Sequence, residues 1–110
     1  IMKEEEIFGY VMCLSEEQIN KKIAEMLKET PYDYCSDYEQ THRFIEMFSD
    51  EGFQISISKM GIGFDWQVEV VDNGDLIDGQ SNFYTCYKED TLSLAVAKCL
   101  LDLLLFGLRD

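Results

Sequence analysis

Hydrophobic and polar positions along this chain change period twice, and the changes divide it into helical and extended stretches. Ser15, with Gln18 three residues on, forms a capping box, and Ile19, Ile23, Met26 and Leu27 then recur on one helical face. This helix is predicted to stop before Pro31, which lacks an N–H and pushes Thr30 out of the helical region. Upstream, Ile7, Phe8, Tyr10, Val11, Met12 and Leu14 form an apolar lead-in that reads as a short additional helix. A second capping box, Ser36 with Glu39, predicts a helix whose apolar positions include Tyr38, Phe44, Ile45 and Phe48, with Gly52 just past its end.

From Phe53 the period falls to two. Phe53, Ile55 and Ile57 alternate with Gln54, Ser56 and Ser58, predicting a half-buried strand. Met60-Gly61-Ile62-Gly63 turns the chain, and Phe64, Trp66, Val68 and Val70 predict the apolar face of a second strand. Asp72-Asn73-Gly74-Asp75 carries the Asn-Gly signal of a tight hairpin, which Leu76 to Gly79 would lengthen into a loop. A third strand over 82–88 places Phe83, Thr85 and Tyr87 on one face and Tyr84 and Cys86 on the other.

The last helix is predicted to start near Asp90 or Thr91 and is apolar almost all round, so most of its circumference needs cover. The sheet covers one side, and the other helices or a second copy of the chain must cover the rest, which makes a homodimer the expectation. The 17-residue stretch from Leu92 to Leu108 is interrupted by Lys98 and Asp102 and falls short of the roughly 20 residues that cross a bilayer. The fold class is therefore α+β: one domain over 1–110, a three-stranded antiparallel β-meander packed with helices in the order α-α-β-β-β-α, preceded by the short N-terminal helix.

Charge narrows the range of partners. Twenty-two acidic residues against 9 basic ones give a net charge of −13, so direct contact with nucleic-acid phosphates or an anionic membrane is repulsive. Carboxylates spread along the whole chain fit either a solvated acidic surface or a decoy for a DNA-binding or defence protein of a host. The four cysteines, Cys13, Cys35, Cys86 and Cys99, have no metal-knuckle spacing and read as small hydrophobes in a reducing cytoplasm. No secretory or transit signal is evident in the opening residues.

Candidate chemistry is sparse. Asp72, Asp75 and Asp78 lie within seven residues and supply oxygen ligands suited to calcium. Counted from Asp72, however, Gly74, Leu76 and Phe83 fall where an EF-hand needs its third, fifth and twelfth residues. His42, the single histidine, stands on a helix face beside Arg43 and one turn from Glu39 and Glu46. A Cys35–His42 pair lacks an orienting partner, and Gly61-Ile62-Gly63 is too short for a dinucleotide fingerprint. Trp66 reads as core, and Tyr32, Tyr34, Tyr38, Tyr84 and Tyr87 as an amphipathic rim or a partner surface. No catalytic residue, cofactor site or enzyme motif is identified.

The closing segment Thr91-Leu-Ser-Leu-Ala95-Val96-Ala97-Lys98-Cys99-Leu100-Leu101 resembles the end of the small phage and prophage proteins grouped as the phage ABA sandwich domain. Tyr34-Cys-Ser36-Asp37 before a helix, Gly52, and Trp66 in a strand are similar to that family's middle, and Ile19 to Leu27 to its opening helix. In the family the small residues at positions 97 and 99 are exchanged, and the loop from Asp72 to Asp78 has no match. The resemblance implies a phage or prophage origin in a Gram-positive host, a helix-sheet-helix sandwich, and an accessory protein without an established activity. On this reading the chain acts by protein–protein contact, with an acidic DNA mimic and a small-ligand or cation binder as the alternatives.

Overall fold

The computed structural model describes residues 4–72 and 83–107. Its elements run α1 (Glu4–Met12), α2 (Glu16–Leu27), α3 (Tyr38–Asp50), β1 (Phe53–Lys59), β2 (Trp66–Asp72), β3 (Tyr84–Glu89) and α4 (Leu92–Gly107). The α+β class and the three-stranded antiparallel meander agree with the alternation in the sequence, and the sheet order is β1-β2-β3.

Local signals account for most boundaries. Ser15 caps α2 reciprocally: its hydroxyl accepts from the Gln18 N–H, and its own N–H donates to the Gln18 side chain at 2.8 Å. The helix closes at Lys28, whose φ of 58° is left-handed. α3 is capped by Asp37, one residue later than the Ser36–Glu39 box predicts, because the Asp37 carboxylate accepts from the Glu39 N–H at 2.8 Å. Gly52, with φ +89°, follows its end and turns the chain into β1. Thr91 caps α4 by accepting from the Leu94 N–H.

Val68, Val70, Phe83, Thr85 and Tyr87 make one face of the sheet, buried against helices. Phe8 of α1 stacks on Tyr87 with ring centroids 5.1 Å apart, Phe48 of α3 meets Phe53 edge-on, and Phe106 of α4 meets Phe83. All of these lie on the same face. α4 runs across β2 and β3, and α1, α2 and α3 close around its remaining sides. Most of the cover that its apolar circumference demands thus comes from within the chain, with Leu103, Leu104 and Phe106 left half-buried. The opposite face carries Gln54, Ser56, Gln67, Glu69, Tyr84 and Cys86, all exposed or half-buried. Among the described residues, then, the helices lie on one side of the sheet, with α1, α3 and α4 reaching it directly and α2 packing on α4, whereas the resemblance implies a layer on each side.

The β2–β3 register runs from Trp66 opposite Glu89 to Val71 opposite Tyr84, and one step further the Asp72 N–H donates to the Phe83 carbonyl at 2.9 Å. The tight hairpin expected at Asn73-Gly74, and the loop from Leu76 to Gly79 that would lengthen it, lie outside the described residues.

Candidate functional site

α4 carries two charged side chains in an otherwise apolar helix, Lys98 and Asp102, each only 7% exposed. They lie one turn apart and so share a stripe of the helix. β3 presents Thr85, Tyr87 and Glu89 at period two on the face that meets this stripe. Lys98 Nζ reaches Glu89 Oε2 at 2.6 Å and Met12 Sδ at 3.9 Å. Asp102 Oδ2 accepts from the Tyr87 hydroxyl at 2.6 Å and from Thr85 at 3.1 Å. Nearby, the Thr41 and Ser93 hydroxyls share a buried hydrogen bond of 2.7 Å that ties α3 to α4. In the sequence these charges read as interruptions of an apolar run. Their four-residue spacing suits a strand whose polar tips recur every second residue, a match that exists only once α4 lies on β3.

This cluster is built to hold elements in register. Burial first, then the bond to Asp102, pushes the Tyr87 phenol far above its ordinary range, which keeps it protonated. A small cavity of about 160 Å³ opens beside it between Phe8, Phe83, Tyr84 and Phe106.

Cys35 and His42 are not brought together. Cys35 is buried and points its thiol at the Glu16 carbonyl, while the exposed His42 sits 2.9 Å from Glu46 on its own helix. Burial, reinforced by Glu16, pushes the Cys35 thiol up to about 12, so it is not a nucleophile at neutral pH. Cys99 is pushed up by burial as well. The four thiols are free of disulfides.

Asp72 ends β2 opposite Phe53, whereas Asp75 and Asp78 lie outside the described residues. Among the described residues no group of three or more metal-ligating side chains comes together. Some of the acidic residues have local roles: Glu16, Glu17 and Glu39 occupy first turns of helices, where negative charge meets the positive end of the dipole. Glu29 receives a bidentate clasp from Arg43 with both contacts at 2.9 Å, and Glu89 is bound to Lys98. The tyrosines split as well, Tyr34 and Tyr87 being core and Tyr32, Tyr38 and Tyr84 exposed.

One end of the sheet is different. β2 begins at Trp66, so Phe64, expected on the apolar face of this strand, lies in the connection instead and is 61% exposed. Met60 and Ile62 are 86% and 102% exposed. Gly61 and Gly63, with φ of +138° and +88°, make the turn that lifts these side chains off the sheet. Behind the turn Trp66 is half-buried, and Lys59 Nζ lies 5.0 Å over its ring. In the sequence, residues 60–63 read only as a turn. The unusual feature is its apolar content, Met, Ile and Phe where turns ordinarily carry polar residues.

No family model, curated protein or solved structure matches this chain.

Proposed function

We propose that this chain is a non-catalytic accessory protein that acts by protein–protein contact, with the free end of the β1–β2 hairpin as its contact surface. The observation that supports this reading is the exposure of Met60, Ile62 and Phe64 together on one turn of a strongly acidic chain. Large apolar side chains gathered at one exposed point mark a surface that is covered in the working state. A protein partner is favoured over a lipid surface, because a net charge of −13 repels anionic headgroups. Among the described residues no helix is long and apolar enough to cross a membrane. Four free cysteines, two of them buried, suit a reducing cytoplasm. The resemblance of the closing helix to phage and prophage proteins supports an accessory role in an infected or lysogenic cell.

A photo-crosslinking residue placed at Ile62 tests the reading. The expected result is a discrete adduct, with itself or with another protein, that fades when Met60→Ser and Phe64→Ser are added. Absence of any adduct, or an adduct indifferent to those substitutions, refutes the hairpin end as a contact surface.

A further inference from the structure

Among the described residues β1 is an edge strand, and apart from Lys59 at its end it lacks the devices that ordinarily guard an edge. Phe53 to Ser58 contains no charge, no proline and no bulge, in a chain with 31 charged residues. The phase of its backbone follows from the ladder. Because the Asp72 N–H is directed to Phe83 of β3, Asp72 and its β1 partner Phe53 form a non-hydrogen-bonded pair. Phe53, Ile55, Ile57 and Lys59 therefore turn their N–H and C=O groups outward, away from β2.

Resting on the contact reading above, we propose that the partner is a second copy of this chain, and that the two β1 strands pair antiparallel about a two-fold axis at Ser56 to make a six-stranded sheet. With all seven residues paired, Phe53 faces the partner's Lys59 and Ile55 faces the partner's Ile57. These are the residues whose outward amides form hydrogen-bonded pairs. Ile55 and Ile57 lie on the helix-bearing face, so the pairing joins apolar to apolar and Ser56 to Ser56. Charge sets the direction. Exposed Asp50 and Glu51 precede the strand and Lys59 ends it, so antiparallel pairing brings unlike charges together where parallel pairing would set like on like.

The same direction accounts for the apolar turn. Past Lys59 the partner's residues 60–64 continue beyond Phe53 toward Glu51 and the end of α3. There a groove of about 320 Å³ lies between Met47, Phe53, Leu103 and Leu104. Its lining is mostly apolar, and Leu103 and Leu104 are half-buried in it. Each hairpin end thus has an apolar recess at the place where the two-fold axis delivers it.

Cysteine placement on a Cys13→Ser, Cys86→Ser background tests this arrangement. In a non-hydrogen-bonded antiparallel pair at the axis, Cα atoms stand about 4.5 Å apart, within disulfide reach. The Ser56→Cys chain is expected to form a covalent dimer on mild oxidation. Ser58→Cys is not, because its copies stand more than about 10 Å apart at roughly 3.3 Å per residue. The wild-type chain is expected to sediment at twice its monomer mass, and Ser56→Lys, which opposes two ammonium groups on the exposed face, to weaken association about fivefold or more with an unchanged circular dichroism spectrum. A wild-type monomer at all concentrations, or a Ser56→Cys chain that stays uncrosslinked, overturns the proposal. Crosslinking of Ser58→Cys as efficiently as Ser56→Cys overturns the antiparallel register. If the purified chain is monomeric while the Ile62 crosslinker still captures a different protein, self-pairing falls and the contact reading survives.

Discussion

Tyr87 donates its phenolic hydrogen to Asp102 Oδ2 over 2.6 Å, and one turn earlier on the same helix Lys98 meets Glu89 at 2.6 Å. Two polar contacts spaced four residues apart on α4 and two apart on β3 admit one alignment of helix on strand. A slip by one residue would bury both charges unpaired. Their role is specificity of packing, in an interface that is otherwise interchangeable aliphatic surface.

Tyr87→Phe keeps the ring against Phe8 and removes one donor from a carboxyl group that is 7% exposed. The expected loss is about 1–3 kcal/mol in urea unfolding. Lys98→Met, which leaves Glu89 beside an apolar side chain, is expected to cost about 3 kcal/mol, and adding Glu89→Gln should recover part of it. A double variant no more stable than Lys98→Met would show that the pair does not act as a unit.

Leu100 is 1% exposed at the centre of α4, and its truncation to Ala is expected to cost about 2–5 kcal/mol. Leu104, half-buried at the groove, should cost about 1–2 kcal/mol in the monomer. Chemical denaturation of both variants distinguishes the fully covered stripe of the helix from the stripe beside the groove. Equal costs would contradict that distinction.

Local signals made much of the fold legible. The Ser15–Gln18 box, the Pro31 stop and the period-two strands are short-range patterns, and each has its counterpart, although β2 starts at Trp66 rather than Phe64 and β3 runs over Tyr84–Glu89. The start of α3 moved by one residue because Ser36 and Asp37 compete for the same cap and the carboxylate prevails. Lys98 and Asp102 were legible as charges but not as partners, since Glu89, Tyr87 and Thr85 reach them only once α4 folds back on β3. The hairpin end was legible as a turn. That its apolar side chains stay uncovered depends on where the helices stop, and no local pattern carries that.

Thiol reactivity should divide by burial. Cys13 is exposed, and Cys86 is half-buried with its pKa raised by burial and then by Glu69. Cys35 and Cys99 are buried with raised pKa values. In native protein near neutral pH, a disulfide reagent is expected to label Cys13 first, Cys86 more slowly, and Cys35 and Cys99 only at the rate of unfolding. Peptide mapping over time reads the order directly, and early labelling of Cys99 would contradict the buried placement of α4.

The Glu29, Arg43 and Tyr34 cluster predicts opposite behaviour at the two ends of the pH scale. The Arg43 clasp, then the Tyr34 hydroxyl, hold the Glu29 carboxyl below its ordinary 4.5. A folded pKa below the unfolded one gives stability that is present above pH 4.5 and lost as pH falls through the folded value. With Glu29 a third exposed, the ion pair is worth about 0.5–1 kcal/mol, so Glu29→Gln should be less stable by that amount at neutral pH and converge on wild type in acid. For Tyr34 the sign reverses. Burial, then its bond to Glu29, raises the phenol from 10.0 to about 12. Its contribution is complete below pH 10 and is lost as pH climbs toward 12, whereas Tyr34→Phe, about 1 kcal/mol weaker at neutral pH, has no such loss at this site. Stability curves of the three proteins from pH 3 to 11 should therefore approach one another at the acid end for Glu29→Gln and at the alkaline end for Tyr34→Phe. Parallel curves across the range would show that neither group's ionisation is coupled to folding.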